Sequence, residues 1–191
     1  MKNVICDLKQ HIDALLETGN QVIIAIDGNC TAGKTTLAAE LEKEYDCNVF
    51  HMDDFFLRPE QRTPDRFAQP GGNVDYERFY EEVVVPLKRG ETFSYQPFSC
   101  RTFTLSDAVT VLPKKLNIVE GTYSLHPYFG DVYDWKVFLS VDTQLQHSRI
   151  LCRPPHLHDR FFRDWIPMEQ HYFEHFHIAE KCNVMYGCSE K

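Results

Sequence analysis

Asp27-Gly28-Asn29-Cys30-Thr31-Ala32-Gly33-Lys34-Thr35-Thr36 is the stretch whose reading decides the fold. Before it runs Val22-Ile23-Ile24-Ala25-Ile26, apolar, mostly β-branched and the length of a buried strand. After it come Leu37 to Glu44, mainly strong helix formers with Leu37 and Leu41 on one face. Gly28, Gly33, Lys34 and Thr35 therefore meet the G-x-x-x-x-G-K-S/T pattern in the strand–turn–helix context it needs. In such a loop the backbone amides of Gly28, Asn29, Cys30, Thr31, Ala32, Gly33, Lys34, Thr35 and Thr36 curl around phosphate oxygens. Lys34 reaches the terminal phosphates, and the Thr35 hydroxyl faces Mg²⁺. The alternative, an ordinary glycine-containing turn, does not account for both flanks.

The chain has 191 residues, enough for one domain (1–191) with a sizeable core. With 43% hydrophobic and 25% charged residues it has the balance of a soluble globular protein. A formal charge of −8 argues against a nucleic-acid-binding surface, and no apolar run has the length of a membrane span. Asp7, Asp13 and Glu17 near the start do not resemble a secretory signal, so a cytoplasmic protein is expected. Seven scattered cysteines without a C-x-x-C pair read as reduced thiols. Cys30 lies where positive potential would lower its pKa, although its backbone is expected to matter more than its thiol. His171-x-x-x-His175-x-His177 reads as a solvated helix face in preference to a metal site.

Along the chain, helical spacing runs from Val4 to Leu16, from Asp75 to Leu87, from Thr143 to Cys152 and from Trp165 to Lys181. Strand candidates are Cys47 to Met52, Leu116 to Val119, Lys136 to Val141 and Asn183 to Tyr186. Phe93 to Phe98 and Ala108 to Leu112 read as a small hairpin-like insertion, and Arg58 to Gly72 as a loop. The alternation predicts an α/β fold with a mainly parallel sheet flanked by helices. Ligands in such sheets bind beyond the carboxyl ends of the strands, where the loop, Asp53-Asp54 and Glu120-Gly121 all fall.

No N-K-x-D guanine motif is present. Asp53, at a strand end, either accepts the proton of an attacking alcohol or caps the following turn. Asp75 stands where it would cap a helix beginning near Tyr76. Arg149, Arg153, Arg160 and Arg163 form the densest basic cluster, some of it available to Asp159, Asp164 or solvent.

The loop Gly28 to Thr36, His51-Met52-Asp53-Asp54-Phe55-Phe56 and Ile118-Val119-Glu120-Gly121-Thr122-Tyr123-Ser124 together resemble the uridine kinase family of P-loop kinases. The likeness runs from about Val4 to Tyr186; it is close to the bacterial uridine kinase-like branch and similar to nicotinamide riboside kinases. It implies a P-loop NTPase fold with a strand-rich substrate-binding insertion at about 54–112 and a helical lid at about 150–166. It implies ATP and Mg²⁺ as cofactors, with Thr35 and Glu120 near the metal. Asp53 would be the general base for the 5′-hydroxyl of a nucleoside such as uridine or cytidine, and Asp75 would hold the ribose diol. Lys34, Arg153 and Arg160 would stabilise the transferring group, with Tyr95, Arg101 and Arg163 on the substrate side. Cys100 stands where the family carries a base-reading His, a departure that opens the choice to nicotinamide riboside, pantothenate or another alcohol. A regulator that binds nucleotide without catalysis is the rival from another class. The partner expected is a small molecule, with homo-oligomerisation open.

Overall fold

A computed structural model describes residues 2–188. Helix α1 (Lys2–Leu16) leads into strand β1 (Val22–Gly28), all seven residues of which are buried. The loop follows, then α2 (Lys34–Glu44) and β2 (Cys47–His51). Beyond a helical segment over 76–89 lie four short strands: β3 (Phe93–Tyr95), β4 (Phe98–Ser99), β5 (Thr104–Leu105) and β6 (Val109–Val111). β3 pairs antiparallel with β6 and β4 with β5, so the expected hairpin-like insertion is a pair of nested ribbons. The chain returns through β7 (Leu116–Glu120), β8 (Trp135–Val141) and β9 (Val184–Cys188).

The central sheet has the order β2–β7–β1–β8–β9, and all four pairings are parallel. Side chains alternate across it. Val22, Ile24 and Ile26 join Leu116, Ile118, Val137 and Leu139 against Leu8 and Ile12 of α1 and Leu37 and Leu41 of α2. Ile23 and Ala25 join Phe50, Val119 and Phe138 on the opposite face, under Phe55, Phe79, Val83, Tyr172 and Phe173. Burial on both faces explains why β1 is continuously apolar instead of alternating. Each large aliphatic side chain so buried contributes about 1.5–3 kcal/mol. Among the described residues, no helix is long and apolar enough to cross a membrane.

Two helices depart from regular geometry, and proline accounts for both. Residues 76–89 and 158–176 each contain a π-turn, Tyr80–Val84 and Phe161–Trp165, ending just before Val85-Pro86 and Ile166-Pro167. Proline lacks the N–H, and its ring crowds the carbonyl four residues back; a wider turn relieves that clash without breaking the helix. The last helix therefore starts earlier than its apolar spacing predicted. It also stops earlier, at Phe176, because His177 takes a left-handed conformation (φ 52°) and a short 3₁₀ turn follows.

Since all five strands run the same way, β1, β2 and β7 deliver their carboxyl ends to one edge. Register then sets the pairs: Glu120 lies opposite Ile26 on one side and His51 on the other. Glu120 thereby stands in the strand next to the one that leads into the loop, and His51 one strand farther out.

Candidate active site

Gly28 closes β1 at φ 134°, and a Cβ there would lie 2.0 Å from the Leu139 carbonyl oxygen of β8. Gly33 begins α2 at φ 101°, which L side chains rarely adopt. Gly28→Ala is accordingly expected to distort the loop and abolish nucleotide binding, as titration calorimetry with ATP would read; retained affinity would show that the strand end yields.

Within the loop Lys34 is buried, and its Nζ donates to the carbonyls of Gly28 (2.7 Å) and Asn29 (2.8 Å) and to Thr122 Oγ1 (3.1 Å). Thr35 is exposed, and its hydroxyl lies 3.1 and 3.2 Å from the Glu120 carboxylate oxygens. His51 Nδ1 sits 2.6 Å from Glu120 Oε1, and that contact raises its pKa. A hydroxyl and a carboxylate are hard oxygen donors, few in number and open on one side, a set that fits Mg²⁺.

Asp53 follows directly, in the 3₁₀ turn Met52–Phe55. Solvent reaches its side chain, yet the protein mass around the crevice, and then the Glu120 charge, push its carboxyl pKa up. Asp54 is raised for the same leading reason, and Tyr95, buried beside it, is pushed up to about 12. Arg78 ties these parts together. Its guanidinium donates to the Asp54 carbonyl (3.0 Å) and to the Gln96 carbonyl (2.8 Å), holding the ribbons over the Asp53 turn.

Asp75 is the N-cap of the helix at 76–89: its Oδ1 accepts from Arg78 N at 3.2 Å. Its Oδ2 is buried without a hydrogen-bond partner, 3.7 Å from Arg58 Nε and 3.6 Å from Arg78 Nε. Cys100, Arg101, Arg153, Arg160 and Arg163 are exposed. Arg160 lies over the Trp165 ring at 5.0 Å. Arg149 turns to the loop itself and donates to the Thr31 carbonyl at 2.7 Å.

Cys30 corrects an expectation. Burial and the nearby Glu169 carboxylate push its thiol up to about 12, the opposite of activation. Its amide donates to Glu169 Oε2 at 2.9 Å. The buried Glu169 also accepts from Gln146 Nε2 at 3.3 Å, so two helices clamp the loop. Asp27 is buried completely and accepts from the amides of Gly28, Tyr123 and Leu125 and from the Tyr172 hydroxyl at 2.9 Å. Sequence reading assigned no role to Asp27, Glu169 or His51. Asp27 did carry a signal, a lone charge at the end of an apolar strand; Glu169 carried none, being 139 residues from Cys30. His171 and His175 meet edge to face at 6.0 Å, and His177 leaves the helix to lie 3.4 Å from Glu180.

No family model matches the sequence, and no curated protein does. Solved structures do match. The "Possible Uridine Kinase" of Bacillus stearothermophilus shares 22% identity at a TM-score of 0.65, over 94% of this chain and 99% of that one. D-glycerate 3-kinase from Cryptococcus neoformans shares 13% at 0.63, over 89% and 86%. Phosphoribulokinase from Rhodobacter spheroides shares 14% at 0.59, over 89% and 71%. The fold is that of the P-loop kinases.

Proposed function

We propose that the protein is an ATP- and Mg²⁺-dependent kinase that phosphorylates the hydroxyl of a small metabolite, most simply the 5′-hydroxyl of a nucleoside such as uridine or cytidine. The observation that supports this reading is the Thr35–Glu120 contact next to Lys34 at the strand ends, with Asp53 two residues beyond His51, the register partner of Glu120. In the reaction, Asp53 takes the proton of the acceptor hydroxyl as its oxygen attacks the γ-phosphorus and the bond to the ADP oxygen breaks. Lys34 leaves the loop carbonyls for the β- and γ-phosphates, and the loop amides hold their oxygens. Thr35 and Glu120 are the residues to hold Mg²⁺ and its waters, which neutralise phosphate charge when bound. Arg153 and Arg160 would close from a lid at about 150–166 onto the transferring group. Residues at about 54–112, with Asp75, Tyr95, Arg101 and Arg163, would form the acceptor side.

The fold neighbours carry the names of kinases for unlike acceptors, uridine and D-glycerate among them, so likeness of fold does not choose the acceptor. A coupled ADP-release screen across nucleosides and vitamin-like alcohols tests the reading. Turnover of at least one alcohol is the expected result; bound ATP with no transfer to any of them would favour the regulator. For ribosides, Asp75→Asn keeps the capping oxygen and is expected to raise KM about tenfold by weakening the diol acceptor. An unchanged KM removes Asp75 from the sugar site.

A further inference from the structure

At the amino ends of the strands lies a crevice of about 430 Å³ that the kinase reading leaves unused. Lys88, Arg89 and Gly90, where the helix at 76–89 ends, line it together with Lys114 and Lys115, which lead into β7. Gln21, just before β1, lines it too. β1 runs from beside this crevice to Gly28, so the phosphate loop lies about 20 Å away, at the other end of the sheet.

Four cationic side chains thus share one concavity in a chain of formal charge −8. Their neighbours balance only part of that charge. Lys114 is committed: its Nζ lies 2.8 Å from Asp46 Oδ1 and donates to the Cys47 carbonyl at 3.0 Å. Arg89 stands 3.9 Å from Glu91, an exposed pair at the limit of ion-pair distance, which contributes little. Lys88 and Lys115 are exposed and take part in no ion pair among the described residues. The last turn of a helix suits Lys88 and Arg89, since cations offset the partial negative charge there. That does not account for Lys115, which comes from another segment, nor for gathering like charges where each raises the cost of the next.

The backbone beneath these side chains is held firmly. The Lys115 carbonyl accepts from Val22 N at 2.7 Å, and the carbonyls of Lys114 and Leu112 accept from Asn117 and Asn48 Nδ2, each at 3.0 Å. On the helix side the amides of Gly90 and Glu91 close onto the carbonyls of Leu87 (3.1 Å) and Pro86 (3.3 Å). Carbonyl oxygens that would repel an anion are therefore engaged within the protein, while the ammonium groups of Lys88 and Lys115 keep their donors open to the crevice.

We propose that this crevice is a second ligand site, for a small phosphorylated metabolite carrying two or more negative charges, gripped between Lys88–Arg89 and Lys115. Ammonium groups bind phosphate as point charges, without the planar match that arginine offers a carboxylate. A compact crevice fits a small molecule, whereas nucleic acid calls for an extended basic surface, which a chain of this charge does not favour. The site does not depend on the kinase reading and takes no part in phosphoryl transfer.

A site-resolved readout separates this crevice from the loop, which also binds phosphate. ¹⁵N-labelled protein, its loop filled by a non-hydrolysable ATP analogue and Mg²⁺, is titrated with fructose, fructose 6-phosphate and fructose 1,6-bisphosphate while amide shifts are followed. The bisphosphate is expected to move the amides of Gln21, Gly90, Lys114 and Lys115 saturably, with affinity at least about tenfold above the monophosphate; the neutral sugar should move none of them. Added salt should weaken the binding. Lys88→Ala combined with Lys115→Ala should lower the affinity about tenfold or more, and Lys115→Arg should retain most of it. The rest of the spectrum and the affinity for the ATP analogue should stay unchanged in these variants, which keeps loss of the site distinct from loss of the fold. Shifts that never saturate, or a saturable response indifferent to Lys88 and Lys115, would overturn the proposal. So would tighter binding of a single-stranded RNA oligomer than of the bisphosphate, which would assign the patch to nucleic acid.

Discussion

Asp53→Asn is expected to lower phosphoryl transfer by about 10²–10⁴-fold, the range lost with a general base, while ATP affinity stays nearly unchanged. The variant keeps the size of the side chain and its place in the Met52–Phe55 turn. What it removes is the oxygen that takes the proton. The raised pKa gives a second readout. The base works deprotonated, so turnover should fall as pH drops through the Asp53 pKa, which the protein mass around the crevice and the Glu120 charge set above the ordinary 3.8. This acid limb of the pH–rate profile should sit at a higher pH than for a free carboxylate. Wild-type turnover by Asp53→Asn on the identified substrate would place the base elsewhere.

Asp27→Ala is the change expected to cost most in stability, about 3 kcal/mol or more by chemical denaturation. It leaves three amides and the Tyr172 hydroxyl without their acceptor in a fully buried place, at about 1–3 kcal/mol for each donor left unsatisfied. Because these donors come from the loop entrance, the segment after β7 and the last helix, their loss should also weaken nucleotide binding. Burial raises the Asp27 pKa above 3.8, outweighing the amides, Lys34 and Tyr172, which lower it. An acid whose folded pKa is raised binds its proton more tightly when folded. Asp27 therefore subtracts stability as pH rises from 3.8 through its folded pKa. Asp27→Asn should flatten that part of the stability profile, and a profile unchanged by it would refute the burial argument.

The division between what was legible and what was not follows range. Regular elements could be read because their signals are local. β1 was announced by an apolar β-branched run, the loop by glycines at fixed spacing, and α2 by helix formers. Pro86 and Pro167 mark the two widened turns just as locally, although apolar spacing alone placed the last helix too late. The Cys30 thiol does not follow the positive potential of the loop, because burial and Glu169 act against it more strongly, while its backbone, as expected, makes the contact that matters. That carboxylate is brought in from the far end of the chain.

Gly28 to Thr36 by itself determined a phosphate-binding loop between strand and helix, and the alternation around it determined an α/β architecture. Both are consequences of spacing within a few residues. Only the tertiary structure decided which carboxylates share the loop's crevice, since parallel register sets His51 across from Glu120 and brings Glu120 to Thr35. It also decided which arginines hold the scaffold, as Arg78 does through the carbonyls of Asp54 and Gln96. Charge balance around a side chain belongs to neighbours in space, and sequence order does not list them.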